Sequence, residues 1–311
     1  MSTPSGSSSQ SAPTASATAV SAVTAHPILG VLGVLFGAVI SKCSGQLLSV
    51  GLADLRGALH LGADNASWLG TAFNAAMMFI GPLSVYLSGL FGVRRILLTC
   101  GALFTFVSVL LPFSGSLPIT LALLVLAGLA VGTFYPLTLS IVLRNLPMKY
   151  VLLGLAMYAM DVVITLNIST SLEAWYMDHL SWHWIFWNSA VLTPVMMVFI
   201  YFGIPWQPLP KPKEGQPKLS WSGFFYVSLG LALLYIALAQ GQRLNWMNSA
   251  TIIALVVTGL FLLLVAFVHH VRLQHRLINL KFLLRRNTLL LGLTAAVFEF
   301  LLMAALNEKR R

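Results

Sequence analysis

The sequence predicts an all-α fold, a polytopic helical membrane protein. Three observations carry that prediction: an extreme apolar composition, apolar runs of bilayer-spanning length, and basic residues gathered in alternate connections. Of the 311 residues, 58% are hydrophobic and 8% charged, with a mean hydropathy of +0.87. Soluble domains carry about 25% charged residues, so this chain lacks the polar side chains to cover a water-facing surface. That excludes a cytosolic enzyme. The high hydrophobicity also excludes a disordered chain, and two cysteines in a chain of this length exclude a disulfide scaffold. Lys plus Arg (18) outnumber Asp plus Glu (8), for a net charge of +10 and a pI near 10. In a soluble chain such basicity points to nucleic acid. In a membrane protein it points to loops facing anionic lipid, so the expected partner is the lipid bilayer and not nucleic acid.

Residues 1–27 are rich in Ser, Thr, Ala and Pro, hold no Lys, Arg, Asp or Glu and show no apolar period. They read as a disordered cytoplasmic tail. A cleaved signal peptide would need basic residues before its apolar core, and none precedes Ile28. Spans are then predicted near 28–50, 66–88, 95–114, 118–142, 151–172, 184–204, 220–240, 248–270 and 288–306. Each is about the length that crosses a hydrocarbon core of about 30 Å. Because lipid leaves backbone amides no outside partner, and the runs lack the alternation of barrel strands, helices are the expected form.

The first six spans, 28–204, form one bundle, closed by a cytoplasmic loop at 205–219. Pro205, Pro208, Pro210, Pro212 and Pro217 keep that loop from being helix or membrane. Two further helices fill 220–270, a basic cytoplasmic loop 271–287, and a ninth helix with a basic tail 288–311. Leu273, Leu277, Leu280 and Leu284 give the second loop the spacing of an amphipathic surface helix, with a solvated linker as the alternative. With the amino terminus cytoplasmic, twelve Lys and Arg residues fall in inside loops, against Arg56 and Arg243 outside. Lys309, Arg310 and Arg311 break the pattern.

Ionised groups at bilayer depth are costly and mark functional sites. Lys42 lies well along span one, Asp161 midway along span five, Glu173 at that span's outer end and Glu299 inside span nine. These four are the proton-coupling candidates. Lys42 and Asp161 are expected at similar depth, as a pair or sharing a water network; a carboxylate so placed is a candidate proton carrier, and a fixed structural ion pair is the alternative. Gln46, Asn74, Tyr135, Tyr158 and Asn167 are candidates for the substrate path, with interhelical hydrogen bonding as their alternative role. Gly33 with Gly37, and Gly128 with Gly132, form small-residue faces that bring helices close. No phosphate-binding glycine loop is present, and His269, His270 and His275 lack acidic or thiol companions. No cofactor, no metal and no catalytic residue is therefore expected.

Local motifs sharpen the reading. Ser181-Trp182-His183-Trp184-Ile185-Phe186-Trp187-Asn188 enters span six, Gln240-Gly241-Gln242-Arg243-Leu244-Asn245-Trp246 joins spans seven and eight, and Gly128, Gly132 and Pro136 punctuate span four. In order and spacing these resemble the signatures of the major facilitator superfamily, in its fourteen-helix drug:proton antiporter branch (EmrB/QacA-type), over about residues 28–306. The resemblance implies a major-facilitator-like six-helix bundle, two linker helices and the start of a second bundle. It makes Gly92, Arg94 and Arg95 in Gly89-Leu90-Phe91-Gly92-Val93-Arg94-Arg95 the gating-loop candidates. That stretch lacks the branch's acid and first arginine. The branch's span-four arginine falls at Leu124, and its span-five antiporter motif falls on Ser169 to Ala174.

What the resemblance implies functionally is a transmembrane transporter, exporting drugs or other small amphipathic organic substrates across a bacterial inner membrane on a proton gradient, with a periplasmic adaptor protein as a partner. The ninth helix would open a second bundle, so the sequence also admits a truncated, non-transporting remnant or a half-transporter needing a separate carboxyl-terminal half. An enzyme is not expected.

Overall fold

The computed structural model describes residues 27–146, 148–205, 221–272 and 297. Among them the secondary structure is helical: α1 (Pro27–Val50), α2 (Leu52–Ala58), α3 (Ala63–Phe91), α4 (Val93–Leu110), α5 (Leu117–Val131), α6 (Phe134–Asn145), α7 (Met148–His179), α8 (Trp184–Gly203), α9 (Trp221–Gly241) and α10 (Ala250–Arg272). Eight stretches are long and apolar enough to cross a bilayer, with α5 and α6 sharing the fourth and α2 lying between the first two. The predicted ends agree closely, except that the fifth span runs on past 172 to His179. The tail before Pro27, most of the two basic loops, and the ninth span apart from residue 297, Glu299 included, lie outside the described residues.

The break between α5 and α6 follows from the sequence. Pro136 offers no N–H and would clash with the carbonyl four residues earlier, in an unbroken helix that of Gly132. Ending α5 at Val131 and restarting at Phe134 puts Pro136 in the first turn of α6, where a missing donor costs nothing. Meanwhile the Thr133 hydroxyl donates to the Ala130 carbonyl at 2.8 Å.

The bundle is organised around α1, which packs against α6, α7 and α8, and around α3, which packs against α5 and α9; α4 bridges α5 and α8, and α10 packs on α9. Apolar attraction between helices is weak in lipid, so close approach and polar contacts must hold them. Both are present. A Cβ on Gly33 would stand 2.9 Å from Phe199 Cβ, and Gly30 meets Gly203 backbone to backbone. A Cβ on Gly128 would stand 2.9 Å from Ala76 Cβ, and one on Gly132 2.8 Å from Met77 Cα. Thr138 donates to the Val34 carbonyl at 2.6 Å, and the Ser44 and Ser189 hydroxyls bond at 2.8 Å. Asn188, closing the Trp-rich stretch, accepts from Tyr176 at 3.0 Å and reaches the Cys43 sulfur at 3.9 Å. The motif thus ties α8 to α7 and α1.

The outward surfaces of α7 and α10 carry large apolar side chains, among them Leu152, 77% exposed, and Leu264, 59% exposed. In water these would be liabilities; lipid or a further apolar helix can cover them. Gly128→Leu should separate α5 from α3 and cost about 1–3 kcal/mol, the usual range for overpacking. Gly70, with nothing within 4 Å of its would-be Cβ, is the control. Thermal unfolding in detergent should show a clear loss for Gly128→Leu and little for Gly70→Leu; equal effects would contradict the packing.

Candidate functional site

Helical spacing places one face each of α1, α3, α7 and α9, with the first turn of α6, around a common cleft. From α1 come Lys42, Gln46 and Ser49; from α3, Asn74, Met77, Met78 and Gly81; from α6, Tyr135 and Pro136; from α7, Val162, Thr165 and Leu166; from α9, Leu231 and Tyr235. Steps of three and four residues define each face. The cleft is partly open and holds about 470 Å³.

Three sequence-predicted residues, Gln46, Asn74 and Tyr135, line the cleft, and so does Lys42. The Lys42 Nζ lies 4.5 Å from the centroid of the Tyr135 ring. Tyr135 in turn stacks on Tyr158, centroids 4.4 Å apart and planes 29° apart. The Tyr158 hydroxyl donates to the Tyr135 carbonyl at 3.3 Å. One turn along α7, Asp161 is 4% exposed and accepts from the Thr165 hydroxyl at 2.9 Å. Its other carboxylate oxygen, Oδ2, is buried and has no hydrogen-bond partner among the described residues.

The expected direct pairing of Lys42 with Asp161 does not form: the only ion pair among the described residues joins Arg243 to Asp64. The negative face of the Tyr135 ring attracts the ammonium instead. The two groups remain within Coulombic reach of one another. Sequence reasoning missed this because an aromatic face is not a formal charge.

The remaining candidates lie elsewhere. Glu173, 9% exposed, sits at the far end of α7 beside Asp54 of α2 and Asp178. Asn167 is exposed, donates to the Val163 carbonyl at 2.8 Å and lines a separate shallow depression with Ile168 and Ser171. Gly92 joins α3 to α4 at φ 84°, a conformation that favours glycine, and is buried. The Arg94 guanidinium stands 4.7 Å from the centre of the Tyr201 ring on α8, and Arg95 is half-buried in the same first turn of α4. Leu124, where the antiporter branch carries arginine, is buried in the core. Met77, Met78, Thr165 and Tyr235 were missed, although Asn74, Met77, Met78 and Gly81 already share one helical face.

A second polar cluster fixes α9 to α3 where α3 begins. Gln240, 1% exposed, donates to Thr71 Oγ1 at 2.6 Å and to the Ser67 carbonyl at 3.3 Å, and accepts from Arg243 at 2.7 Å. Arg243 also pairs with Asp64 at 3.1 Å and lies over Trp68. At the other end of the same helix pair, Tyr86 packs on Trp221 and Phe224. Gln240 and Arg243 thus tie α9 and the turn after it to α3.

The long apolar helices define an integral membrane protein, and they surround a cleft of mixed polar and apolar lining. The chain belongs to the Major Facilitator Superfamily, whose model matches residues 34–308. It is similar to the probable multidrug resistance protein EmrY of Escherichia coli K12, 26% identical over 239 residues, or 77% of this chain and 46% of the relative. It is also similar to the multidrug export protein EmrB of Haemophilus influenzae, 26% identical over 244 residues, 76% of this chain and 46% of the relative. The chain thus spans about half the length of these curated relatives.

Magnitudes order the α3–α9 lock. Leaving buried partners of Gln240 unsatisfied costs about 1–3 kcal/mol, whereas an exposed ion pair contributes about 0–1 kcal/mol, and Asp64 is 81% exposed. Gln240→Leu should therefore lower thermal stability in detergent more than Asp64→Asn does. The reverse order would show that the ion pair is the main tie.

Proposed function

We propose that this chain supplies the substrate-handling amino-terminal bundle of a proton-coupled exporter of drugs or other amphipathic organic compounds. It would sit in a bacterial inner membrane with its amino terminus cytoplasmic. The observation that carries the reading is the cleft, where Lys42, Gln46, Asn74 and Tyr135 meet Met77, Met78 and Tyr235. Polar groups at bilayer depth are expensive, and they are kept where they face a partner or a pathway. The methionines and tyrosines give an adaptable apolar wall, suited to ligands of varied shape. Relatives named for multidrug resistance and export support the same reading.

For coupling, Asp161 is the preferred carrier. It sits behind the cleft wall, and Thr165 both lines the cleft and bonds its carboxylate. A ligand that shifts Thr165 would alter the environment of the acid, which is the linkage an antiporter requires. Movement of one bundle against another, usual for transporters of this build, would pivot near the Gly92 turn, with Arg94 on Tyr201 as a contact to break. A periplasmic adaptor protein is the further partner that kinship implies.

The test is dye accumulation in cells stripped of their own exporters, expressing the chain alone or with a carboxyl-terminal bundle, with and without a proton gradient. The reading predicts lowered accumulation that disappears when the gradient is collapsed. Accumulation equal to empty cells in every arm would refute it. Asp161→Asn should abolish gradient-dependent efflux while leaving membrane insertion intact; undiminished efflux across pH would remove Asp161 from the coupling role.

A further inference from the structure

Among the described residues that line the cleft, Lys42 is the only one with a formal charge. The nearest acid of opposite sign, Asp161, lies behind the wall, 4% exposed and bonded to Thr165. A molecule entering the cleft therefore meets an ammonium and no carboxylate. Lys42 is partly exposed, and its ammonium lies over a neutral aromatic face rather than in an ion pair. Around it, Ser41, Ser49, Gln46 and Asn74 are neutral hydrogen-bonding groups, and Met77, Met78, Leu231 and Tyr235 form the apolar wall.

We propose that the cleft is built for amphipathic organic anions, with Lys42 as the counter-ion of a carboxylate, sulfonate or acidic phenolate and the Met–Leu–Tyr wall as the seat of its apolar body. This rests on the reading of the cleft as a substrate site and narrows it to one charge class. In low dielectric, an anion brought beside an ammonium that no carboxylate contacts directly is favoured, and a cation there is opposed. A lipophilic cation would have to displace the ammonium from Tyr135 and would find no exposed acid in return. Lys42 is thus a binding residue, and Asp161 is free to serve the proton.

An anionic lipid headgroup shares this chemistry, so the experiment separates the two sources. The whole chain is placed in lipid nanodiscs and titrated with dansyl-undecanoate and, in parallel, with its trimethylammonium counterpart of the same chain length. The wild-type chain should bind the anion about tenfold or more tightly than the cation, as expected for a charge-assisted contact. Lys42→Gln should lose about tenfold in anion affinity, while Lys42→Arg, which keeps the charge, should stay within about threefold. Equal binding of both probes, or unchanged anion binding in Lys42→Gln, would overturn the proposal. Loss of anion binding when the discs contain anionic lipid would assign the ammonium to a headgroup and also overturn it. Efflux in cells is read separately. Anion-selective, Lys42-dependent binding without efflux would uphold this inference and sink the transporter reading; efflux of cations without anion binding would do the opposite.

Discussion

The hydrocarbon core of a bilayer contains no water, and nearly every feature of this chain follows from that constraint. Backbone amides must be satisfied within each span, so the apolar runs become helices. The outward faces need no polar cover, so α7 and α10 expose leucines and valines that a soluble protein would bury. Many polar side chains turn inward. There they either tie helices together, as Thr138 does to Val34 and Gln240 to Thr71, or gather around the cleft.

Within that frame, small residues determine shape. Gly30, Gly33 and Gly203 let α1 and α8 touch along their backbones, and Gly128 and Gly132 do the same for α3 and α5. The interruption of the fourth span at Gly132 brings Tyr135 into the first turn of α6, where its ring can receive Lys42 and stack on Tyr158.

Composition and run length made eight of the spans legible, because burial in lipid imposes a length and an apolarity that need no tertiary information. Gln46, Asn74, Tyr135 and Lys42 were also legible, since a polar residue deep in an apolar run stands out. Asn167 shows the limit: it has the same composition signal as Asn74, yet it bonds its own helix and lies outside the cleft. Which face of a helix turns inward depends on neighbours, and a single span does not record them. Tyr235 was hidden for the same reason, because nothing local marks α9 as packing on α3. The Lys42–Tyr135 contact was missed because pairing by formal charge overlooks aromatic faces.

The most direct measurement of the central claim, that α1, α3 and α9 turn one face each to an open cleft while other faces stay in an apolar environment, is thiol labelling in membranes. Single cysteines would be placed at Gln46, Asn74 and Tyr235 and, for contrast, at Leu153, Val257 and Leu264, in a chain with Cys43 and Cys100 replaced. A charged, water-soluble thiol reagent should label the first three positions and leave the other three unmodified. Labelling of the other three positions with silence at Gln46, Asn74 and Tyr235 would contradict the account.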